Sequence, residues 1–327
     1  MKTKILHILR NTQGYVSGQQ LCDELGISRT AVWKVINQLK EDGYEIEAVR
    51  NRGYRILEAA DVLNGSEIKS RLHTQMMGKE VYYQSEIDST NSWMKRLAEE
   101  GAQAGSVTIA DMQSRGKGRR GRVWVTPFGT SIPFSVLLRP DIRPERASML
   151  TLVMGLCVAQ AIHELYDLKT GIKWPNDVVV HDKKICGILT EMTMQAEYID
   201  SVIIGTGINA NMQEFSPELA DKATSLRNEL GRPVKRADIV VKILEIFEEK
   251  YQIFLRTQDL SGLIEDYHGY LLNRDKEVRV LQPGDEHTGV ARGIDEMGNL
   301  IVERSDNGQT EKVFAGEVSI RGLYSYV

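Results

Sequence analysis

The segment with the most evident chemistry is a run of five cations and three glycines, Arg115-Gly116-Lys117-Gly118-Arg119-Arg120-Gly121-Arg122. Glycine lets a backbone wrap closely around a ligand, and clustered cations with exposed N–H groups neutralise phosphate or carboxylate oxygens. The run therefore predicts a loop that binds a polyanion. It fits neither the GxxxxGK[ST] spacing of a P-loop nor a GxGxxG fingerprint between a strand and a helix, so neither common nucleotide motif is indicated.

Trp124 follows this run closely, and an indole ring can stack on a base. The alternative is a flexible basic surface loop that contacts nucleic acid. The neighbouring aromatic side chain favours a nucleotide site.

Two later segments carry polar groups that could serve the same site. In the first, Lys173-Trp174-Pro175-Asn176-Asp177 precedes a short apolar strand, and Lys183-Lys184 leads into Ile185-Cys186-Gly187-Ile188-Leu189. Pro175 prevents a helix there, although each lysine alone could be a solvated turn residue. The second, Gly205-Thr206-Gly207-Ile208-Asn209, is by itself best interpreted as a glycine-rich turn.

Together, GKGRRGRVW, KWPND with KKxxGIL, and GxGIN resemble the ordered signatures of biotin-protein ligases, with Lys117 where many members have arginine. Asp88-Ser89-Thr90-Asn91 resembles the turn that meets biotin in this family, although Ser89 or Thr90 could equally be a plain helix N-cap. The resemblance implies that biotin is activated with ATP to biotinyl-5'-AMP and then transferred to a lysine of a biotin carboxyl carrier protein.

The resemblance also implies roles for individual residues. Those expected at biotin are Ser89, Thr90, Asn91, Gln113, Lys117, Gly118, Arg119 and Lys184; those expected at the nucleotide are Arg122, Trp124, Asn176, Asp177, Gly187 and Asn209. Because two anions must meet, catalysis depends on positioning and charge neutralisation, which we assign to Arg119, Lys117 and Lys184. We expect Mg²⁺ to arrive with ATP. The six histidines show no metal spacing, so no protein-only metal site is expected.

Around these loops, apolar strands alternate with helical runs. Strands are expected at 106–110, 131–138, 178–180 and 201–204, and helices at 90–100, 146–166 and 235–256. This pattern predicts an α+β multidomain chain with a catalytic domain over 64–272. The family resemblance implies a class II synthetase-like mixed sheet.

The first 63 residues predict a winged helix-turn-helix domain. Helical apolar spacing, a break at Gly26 and a cap at Ser28 give three helices, and two strands surround a turn at 50–53. A solvated face or a protein-interaction module is the alternative to DNA binding. The segment resembles the helix-turn-helix of many bacterial repressors, which implies operator DNA as a partner and a biotin-responsive repressor. The expected DNA-binding residues are Ser28, Arg29, Thr30, Trp33, Lys34, Asn37, Arg50 and Arg52.

Beyond residue 272 the helical pattern ends and short strands are expected at 278–281, 289–294, 300–303, 311–314 and 318–321. Turns at Pro283-Gly284, 296–299 and 306–308 separate them. A small SH3-like barrel over 273–327 follows from this spacing.

The length of 327 residues favours two or three domains, and 42% hydrophobic with 26% charged residues matches a soluble protein. No apolar run long enough for a membrane span is expected, so neither is a membrane partner. The N-terminus lacks a secretory pattern, and the three cysteines are widely spaced, so we expect a cytoplasmic protein without disulfides or zinc.

Three alternatives stay open from the sequence. They are a lipoate-protein ligase, a biotin-sensing repressor that has lost turnover, and a ligase whose N-terminal domain no longer binds DNA. If both activities hold, we hypothesise that biotinyl-5'-AMP promotes a homodimer that matches a two-fold operator.

Overall fold

The computed structural model describes residues 1–57, 61–282, 285–315 and 319–322. Its N-terminal part contains helices α1 (Lys2–Asn11), α2 (Gly18–Leu25) and α3 (Arg29–Glu41), followed by the antiparallel strands β1 (Ile46–Val49) and β2 (Gly53–Ile56). The helices form because each has an apolar stripe at helical spacing, and the three stripes meet in one small core with Tyr44. The predicted winged helix-turn-helix layout is confirmed.

Capping residues set the ends of these helices. The hydroxyl of Ser17 accepts the N–H of Gln20, Ser28 accepts that of Ala31, and Gly26 ends α2 in the left-handed conformation. Gly53 is required for a different reason: a β-carbon there would lie 2.0 Å from the carbonyl oxygen of Val16, which pairs with β2. The wing is thereby fixed to the loop before α2.

The central part is a seven-stranded mixed sheet with strand order β3-β4-β5-β9-β8-β7-β6. Only β3 and β4 pair in parallel among the described strands. The strands are β3 (Val81–Ile87), β4 (Val107–Gln113), β5 (Ser131–Leu138), β6 (Thr170–Lys173), β7 (Asp177–Val180), β8 (Lys183–Gln195) and β9 (Tyr198–Asn209).

Helices cover the sheet and form the main core with it. They are α4 (Gly65–Lys69), α5 (Thr90–Glu99), α6 (Met149–Tyr166), α7 (Leu226–Leu230), α8 (Arg236–Thr257) and α9 (Ile264–Tyr270). The large apolar cluster joins α6 and α8 to one sheet face, whereas α5 packs on the other face around Met94 and Leu137. The predicted α+β class is confirmed, and the three long helices begin and end within three residues of their predicted limits.

Two expectations were wrong in this part. Residues 205–209 are not a glycine-rich turn but the end of β9, a strand that pairs along its length with β5 and β8. The other is the absence of an apolar run long enough for a membrane span: the segment Pro144–Tyr166, which includes α6, could span a bilayer by length and composition. However, 67% of its most apolar stretch is buried inside the protein.

The C-terminal part is a five-stranded antiparallel sheet of order β13-β12-β11-β10-β14. Its strands are β10 (Lys276–Gln282), β11 (Asp285–Ile294), β12 (Leu300–Arg304), β13 (Thr310–Val313) and β14 (Ser319–Gly322). Within the residues described, β13 and β14 do not pair, so the expected barrel closure is not observed. The predicted turn at Pro283-Gly284 and the first residue of the predicted last strand lie outside the described residues.

His268 of α9 joins the central part to the C-terminal sheet, because its Nε2 accepts the backbone N–H of Ile294 at 2.9 Å. Burial lowers the pKa of His268, and the charge of Arg274 acts in the same direction. The neutral ring is the form that this contact requires.

We therefore predict that acid weakens this contact. The folded-state pKa of His268 is depressed, so its stabilising contribution is complete above the ordinary value of about 6.5 and is lost as pH falls through the lower folded value. In His268→Gln the amide oxygen can accept the same N–H without titrating. The measurement is the thermal unfolding midpoint at pH 7.5 and at pH 5.5. The difference between the two pH values should be smaller in His268→Gln than in the wild type, by a shift that corresponds to about 1 kcal/mol of unfolding free energy. Identical pH dependences would contradict the assignment.

Candidate active site and DNA-binding face

The basic run forms a closed loop. The N–H of Trp124 donates to the carbonyl of Gly116 at 2.9 Å, and that of Gly118 donates to the carbonyl of Arg122 at 2.7 Å. A β-carbon on Gly116 would lie 2.3 Å from the carbonyl oxygen of Trp124, so this position accepts only glycine. The two bonds hold Arg119 and Arg120 at the tip, in a short 3-10 turn.

The floor of the candidate pocket consists of three glycines on two adjacent strands. Gly187 of β8 lies directly opposite Gly207 of β9, and Gly205 follows on β9. An added β-carbon would come within 2.6 Å of the Trp124 indole at Gly207 and within 2.1 Å of the Asn91 side chain at Gly205. The GxG spacing therefore gives a strand surface without side chains on one face.

One end of the pocket is a buried hydrogen-bond network. Gln113 Oε1 accepts the N–H of Thr90 at 2.8 Å and its hydroxyl at 3.1 Å, and Ser135 donates to Asn91 Oδ1 at 2.6 Å. Asn91 in turn donates to Glu191 at 2.7 Å. Ser89 occupies the N-cap position of α5 but makes no capping hydrogen bond, so Gln113 takes that role. This network fixes amide and hydroxyl groups in one arrangement.

The opposite end carries the cations. Lys184 Nζ lies 2.5 Å from Asp177 Oδ1 and 5.4 Å from the centre of the Trp124 ring. Arg119 donates to Asn176 Oδ1 at 2.8 Å and to the carbonyl of Ala315, in the C-terminal part.

Burial lowers the pKa of Arg119, and Asp177 acts in the opposite direction. A guanidinium stays charged even so, because its ordinary pKa lies far above neutral pH. The charge at this end is therefore held in place before any ligand arrives.

These groups surround a cavity of about 50 Å³, and the Trp124 ring lies against the glycine floor at its side. The predicted ligand-binding residues that line it are Ser89, Thr90, Asn91, Gln113, Lys117, Gly118, Arg119, Trp124, Asn176, Lys184 and Gly187. Lys117 reaches the rim, where its Nζ lies 3.2 Å from the Ser92 hydroxyl.

Three predicted residues do not line the cavity. Arg122 is exposed and contributes its carbonyl to the loop closure, and Asp177 lies behind Lys184 as its ion-pair partner. Asn209 is buried, and its amide donates to the carbonyl of Thr224 at 3.1 Å. In this structure the polar groups of these three residues contact other parts of the protein instead of the cavity.

Several residues at the pocket had no role predicted from the sequence. Leu189, Gly205 and Gly207 line it, and Ser135 anchors the network below it. A usable signal existed for Ser135, since it interrupts the apolar run Ile132–Leu138 of β5, and a hydroxyl in such a run requires a hydrogen-bond partner when buried. For the glycines the missing information was the strand register.

The KWPND segment divides between two tasks. Trp174 is buried, and its Nε1 donates to the carbonyl of Gly298 at 3.0 Å, in the C-terminal part, whereas Asn176 faces the cavity. The Trp174–Pro175 peptide bond is cis. The segment therefore contacts the C-terminal part on one side and the candidate pocket on the other.

A second candidate surface lies on α3 and the wing. Val32 and Ile36 of α3 face the core of the N-terminal part, residues 1–57, which we call the head. The other side of the helix leaves four side chains exposed and one half-buried: Arg29, Thr30, Trp33 and Lys34 are exposed, and Asn37 is half-buried. Trp33 is 60% exposed, an unusual position for so large a ring. Ser28 is committed to capping α3, as described above.

The wing carries three further cations, Arg50, Arg52 and Arg55. Arg50 and Arg52 are exposed, and the guanidiniums of Arg52 and Arg55 lie 4.7 and 5.0 Å from the centre of the Tyr15 ring. The Tyr15 hydroxyl donates to Glu47 at 2.7 Å. Cation–π contact therefore limits the positions that two of these cations adopt.

Comparison with known proteins agrees with this arrangement. Residues 83–209 match the biotin/lipoate A/B protein ligase family, residues 2–55 an HTH domain, and residues 275–321 the biotin protein ligase C-terminal domain. A "Bifunctional ligase/repressor BirA" from Bacillus spizizenii is 39% identical over 94% of each chain, and one from Escherichia coli is 30% identical over 97% of this chain and 96% of that one.

Among solved structures, a biotin protein ligase from Aquifex aeolicus in complex with biotin and ATP is similar, with a TM-score of 0.65 and 31% identity. The similarity covers 75% of this chain and 99% of that one. The chain therefore belongs to the family of bifunctional biotin-protein ligases and repressors.

Proposed function

We propose that this protein activates biotin with ATP, transfers it to a carrier-protein lysine and represses transcription in response to biotin. The observation that carries the proposal is the pocket itself, in which a glycine floor lies between a network of lining amide and hydroxyl groups and a cluster of cations. Such a pocket suits a ligand with a polar, uncharged head and an anionic tail. Biotin has a ureido ring and a carboxylate, which correspond to these two ends.

In the first step the biotin carboxylate oxygen attacks the α-phosphorus of ATP and diphosphate leaves. Both reactants are anions, so the barrier falls when fixed positive charge surrounds the forming bond. Lys184 and Arg119 supply this charge, and Lys117 adds to it from the rim. Asn176 and Asp177 hold the two cations in place, so little reorganisation is needed during the reaction.

In the second step the amine of a carrier lysine attacks the mixed anhydride and AMP leaves. The nucleophile belongs to the carrier protein, which agrees with the neutral character of the buried thiols: burial raises the pKa of Cys157 and of Cys186 far above the working range. We propose Trp124 as the surface for the adenine ring, since its indole is half-exposed beside the cations.

We propose that Mg²⁺ enters with ATP. Asp177 is the one carboxylate beside the cations in the described pocket, and it is already paired with Lys184, so phosphate oxygens would supply most of the ligands. The cluster of Asp285, His287 and Glu311 lies in the C-terminal sheet and contains the guanidinium of Arg304, which already provides its positive charge.

For the repressor activity, we propose that α3 enters the major groove of an operator and that the wing arginines contact flanking phosphates. The helix presents cations and amides to solvent, the groups that bind phosphates and base edges. The similar proteins named as bifunctional ligase/repressors combine an activity of each kind in one chain.

Several finer points belong to the same proposal. They are the carboxylase carrier protein as partner, a homodimer promoted by biotinyl-5'-AMP, a cytoplasmic location, domain limits after residues 63 and 272, a class II synthetase-like core and an SH3-like C-terminal module. Lipoate is the weaker candidate substrate, because the similar structure from Aquifex aeolicus is a biotin protein ligase in complex with biotin and ATP, and residues 275–321 match the biotin protein ligase C-terminal domain.

Removal of either half-buried cation should abolish most of the activity. We predict that Arg119→Ala and Lys184→Ala each lower biotin transfer by roughly 100- to 1,000-fold, because each removes charge from the forming bond. Transfer of labelled biotin onto a carboxylase biotin domain, with Mg-ATP, measures this. Arg115→Ala is the matched control, since Arg115 is an exposed cation of the same loop that does not line the cavity. Tight biotin binding without transfer by the wild type would instead indicate a sensing repressor.

The Trp124 ring should report ligand binding directly. Its indole lies on the glycine floor, where biotin and ATP must enter, so we expect binding to change its environment. Ligand-induced fluorescence change should be present in the wild type and largely absent in Trp124→Phe. Trp33→Phe, which alters an exposed indole in the head, should keep the change. Equal responses in all three proteins would remove Trp124 from the ligand site.

The DNA-binding proposal is tested by the salt dependence of binding to mixed-sequence duplex DNA with biotin and Mg-ATP present. Arg52→Ala and Lys34→Ala should each lower the slope of log affinity against log salt by about 1, as expected for one lost phosphate contact. Lys95→Ala removes an exposed cation of α5 and should leave the slope unchanged. Unchanged slopes in both head variants would exclude these residues from the DNA interface.

A further inference from the structure

The first turn of α8 holds a buried arginine that the proposed chemistry does not use. Arg236 is 4% exposed, and its Nε lies 2.5 Å from Asp61 Oδ2 while its backbone N–H donates to Asp61 Oδ1 at 2.8 Å. Asp61 lies in the segment between the wing and α4. Arg236 therefore fixes Asp61, which precedes α4 where the chain enters the catalytic core.

The same guanidinium reaches the sheet that carries the pocket. Arg236 Nη1 lies 2.6 Å from Asp111 Oδ1, and the other oxygen of Asp111 accepts the hydroxyl of Tyr83. Asp111 is two residues before Gln113, and its carbonyl accepts the N–H of Gly129, just beyond the basic loop. One side chain thus connects the head linker with the strand and loop that border the ligand.

A second buried ion network joins the head to the same turn of α8. Glu67 of α4 is 2% exposed. Its carboxylate pairs with Arg10 of the head at 2.6 Å and accepts the hydroxyl of Tyr44, also of the head, at 2.8 Å. It also pairs with Arg71 of the core at 2.6 Å. Arg71 also pairs with Asp238, two residues after Arg236. Two independent networks therefore converge on the first turn of α8.

Buried ion networks of this kind are weak evidence for stability, because apolar residues of similar volume often stabilise a protein as well. They do constrain geometry, since a partner that moves away leaves an uncompensated buried charge. A shift of β4 or of the basic loop that displaces Asp111 must therefore be followed by Arg236, and through it by Asp61.

We propose that the Asp61–Arg236–Asp111 bridge couples ligand occupancy of the pocket to the position of the DNA-binding head. Arg236 and Asp61 are positioning residues: they touch neither the ligand nor DNA, but make each site sensitive to the other. The coupling is reciprocal by thermodynamic necessity, so a head held in one position also favours the ligand-bound pocket. This inference rests on the proposed binding of biotin and ATP.

Hydrogen–deuterium exchange of the full-length protein, with and without biotin and Mg-ATP, tests the coupling. In the wild type we expect ligand to slow amide exchange in the basic loop and also in the head, including α3. In Asp61→Asn the loop should still be protected and biotin transfer unchanged, while the ligand-dependent change in the head falls by about fivefold or more, the lower end of usual coupling factors. Asp23→Asn is the matched control, because it removes an exposed carboxylate that accepts a hydrogen bond from Gln19 within the head.

The outcomes separate cleanly. Equal head protection in Asp61→Asn and the wild type, with the loop protected in both, overturns the coupling and leaves the ligase proposal intact. No protection of the loop in the wild type overturns the proposed function and the coupling with it. If Asp61→Asn loosens the head even without ligand, Tyr83→Phe decides: it removes the hydroxyl from the far end of the bridge, on an edge strand of the core, and should also reduce head protection.

Discussion

The candidate active site depends on three positions where the central sheet has no side chains. Gly187, Gly205 and Gly207 leave one patch of backbone bare, and each lies so close to Asn91, Trp124 or Lys184 that an added β-carbon would have to displace a neighbour. The Trp124 ring lies on this patch, so a ligand that displaces the ring can approach the strand backbone at van der Waals distance. The hydrogen-bond network and the cations then act from opposite ends of one flat surface.

Electrostatic preorganisation follows from how the cations are held. Lys184 is held by a carboxylate, whereas Arg119 is held by an amide oxygen and a backbone carbonyl. Neutral acceptors fix the guanidinium without cancelling its charge, so its field stays available to an incoming anion. Because one of these acceptors belongs to Ala315, the C-terminal part contributes directly to the charged end. The hydrogen bond from Trp174 to the carbonyl of Gly298 is a second connection between the central part and the C-terminal part.

The head, the long helices and the basic loop could be predicted from the sequence, because each depends on residues close together in the chain. Helix periodicity and caps gave the head and the three long helices, and the composition of the basic run indicated an anion site. Strand register was not accessible: residues 205–209 have the composition of a turn, and only pairing with β5 and β8 makes them a strand. The bridge from Arg236 to Asp61 spans 175 residues along the chain, which no periodicity can reveal. For the same reason the sequence does not reveal that Asp177 pairs with Lys184, or that Asn209 donates to the carbonyl of Thr224 instead of lining the cavity.

The bare patch also limits how such a site can evolve. Any substitution at Gly205 or Gly207 adds atoms where the backbone already touches Asn91 or Trp124. We therefore expect almost every other residue type at these two positions to disrupt the site. The rim differs, since Lys117 lies at its edge, is exposed and makes one polar side-chain contact with Ser92. Divergence in ligand preference is therefore expected to accumulate along the rim, while the floor is inherited unchanged.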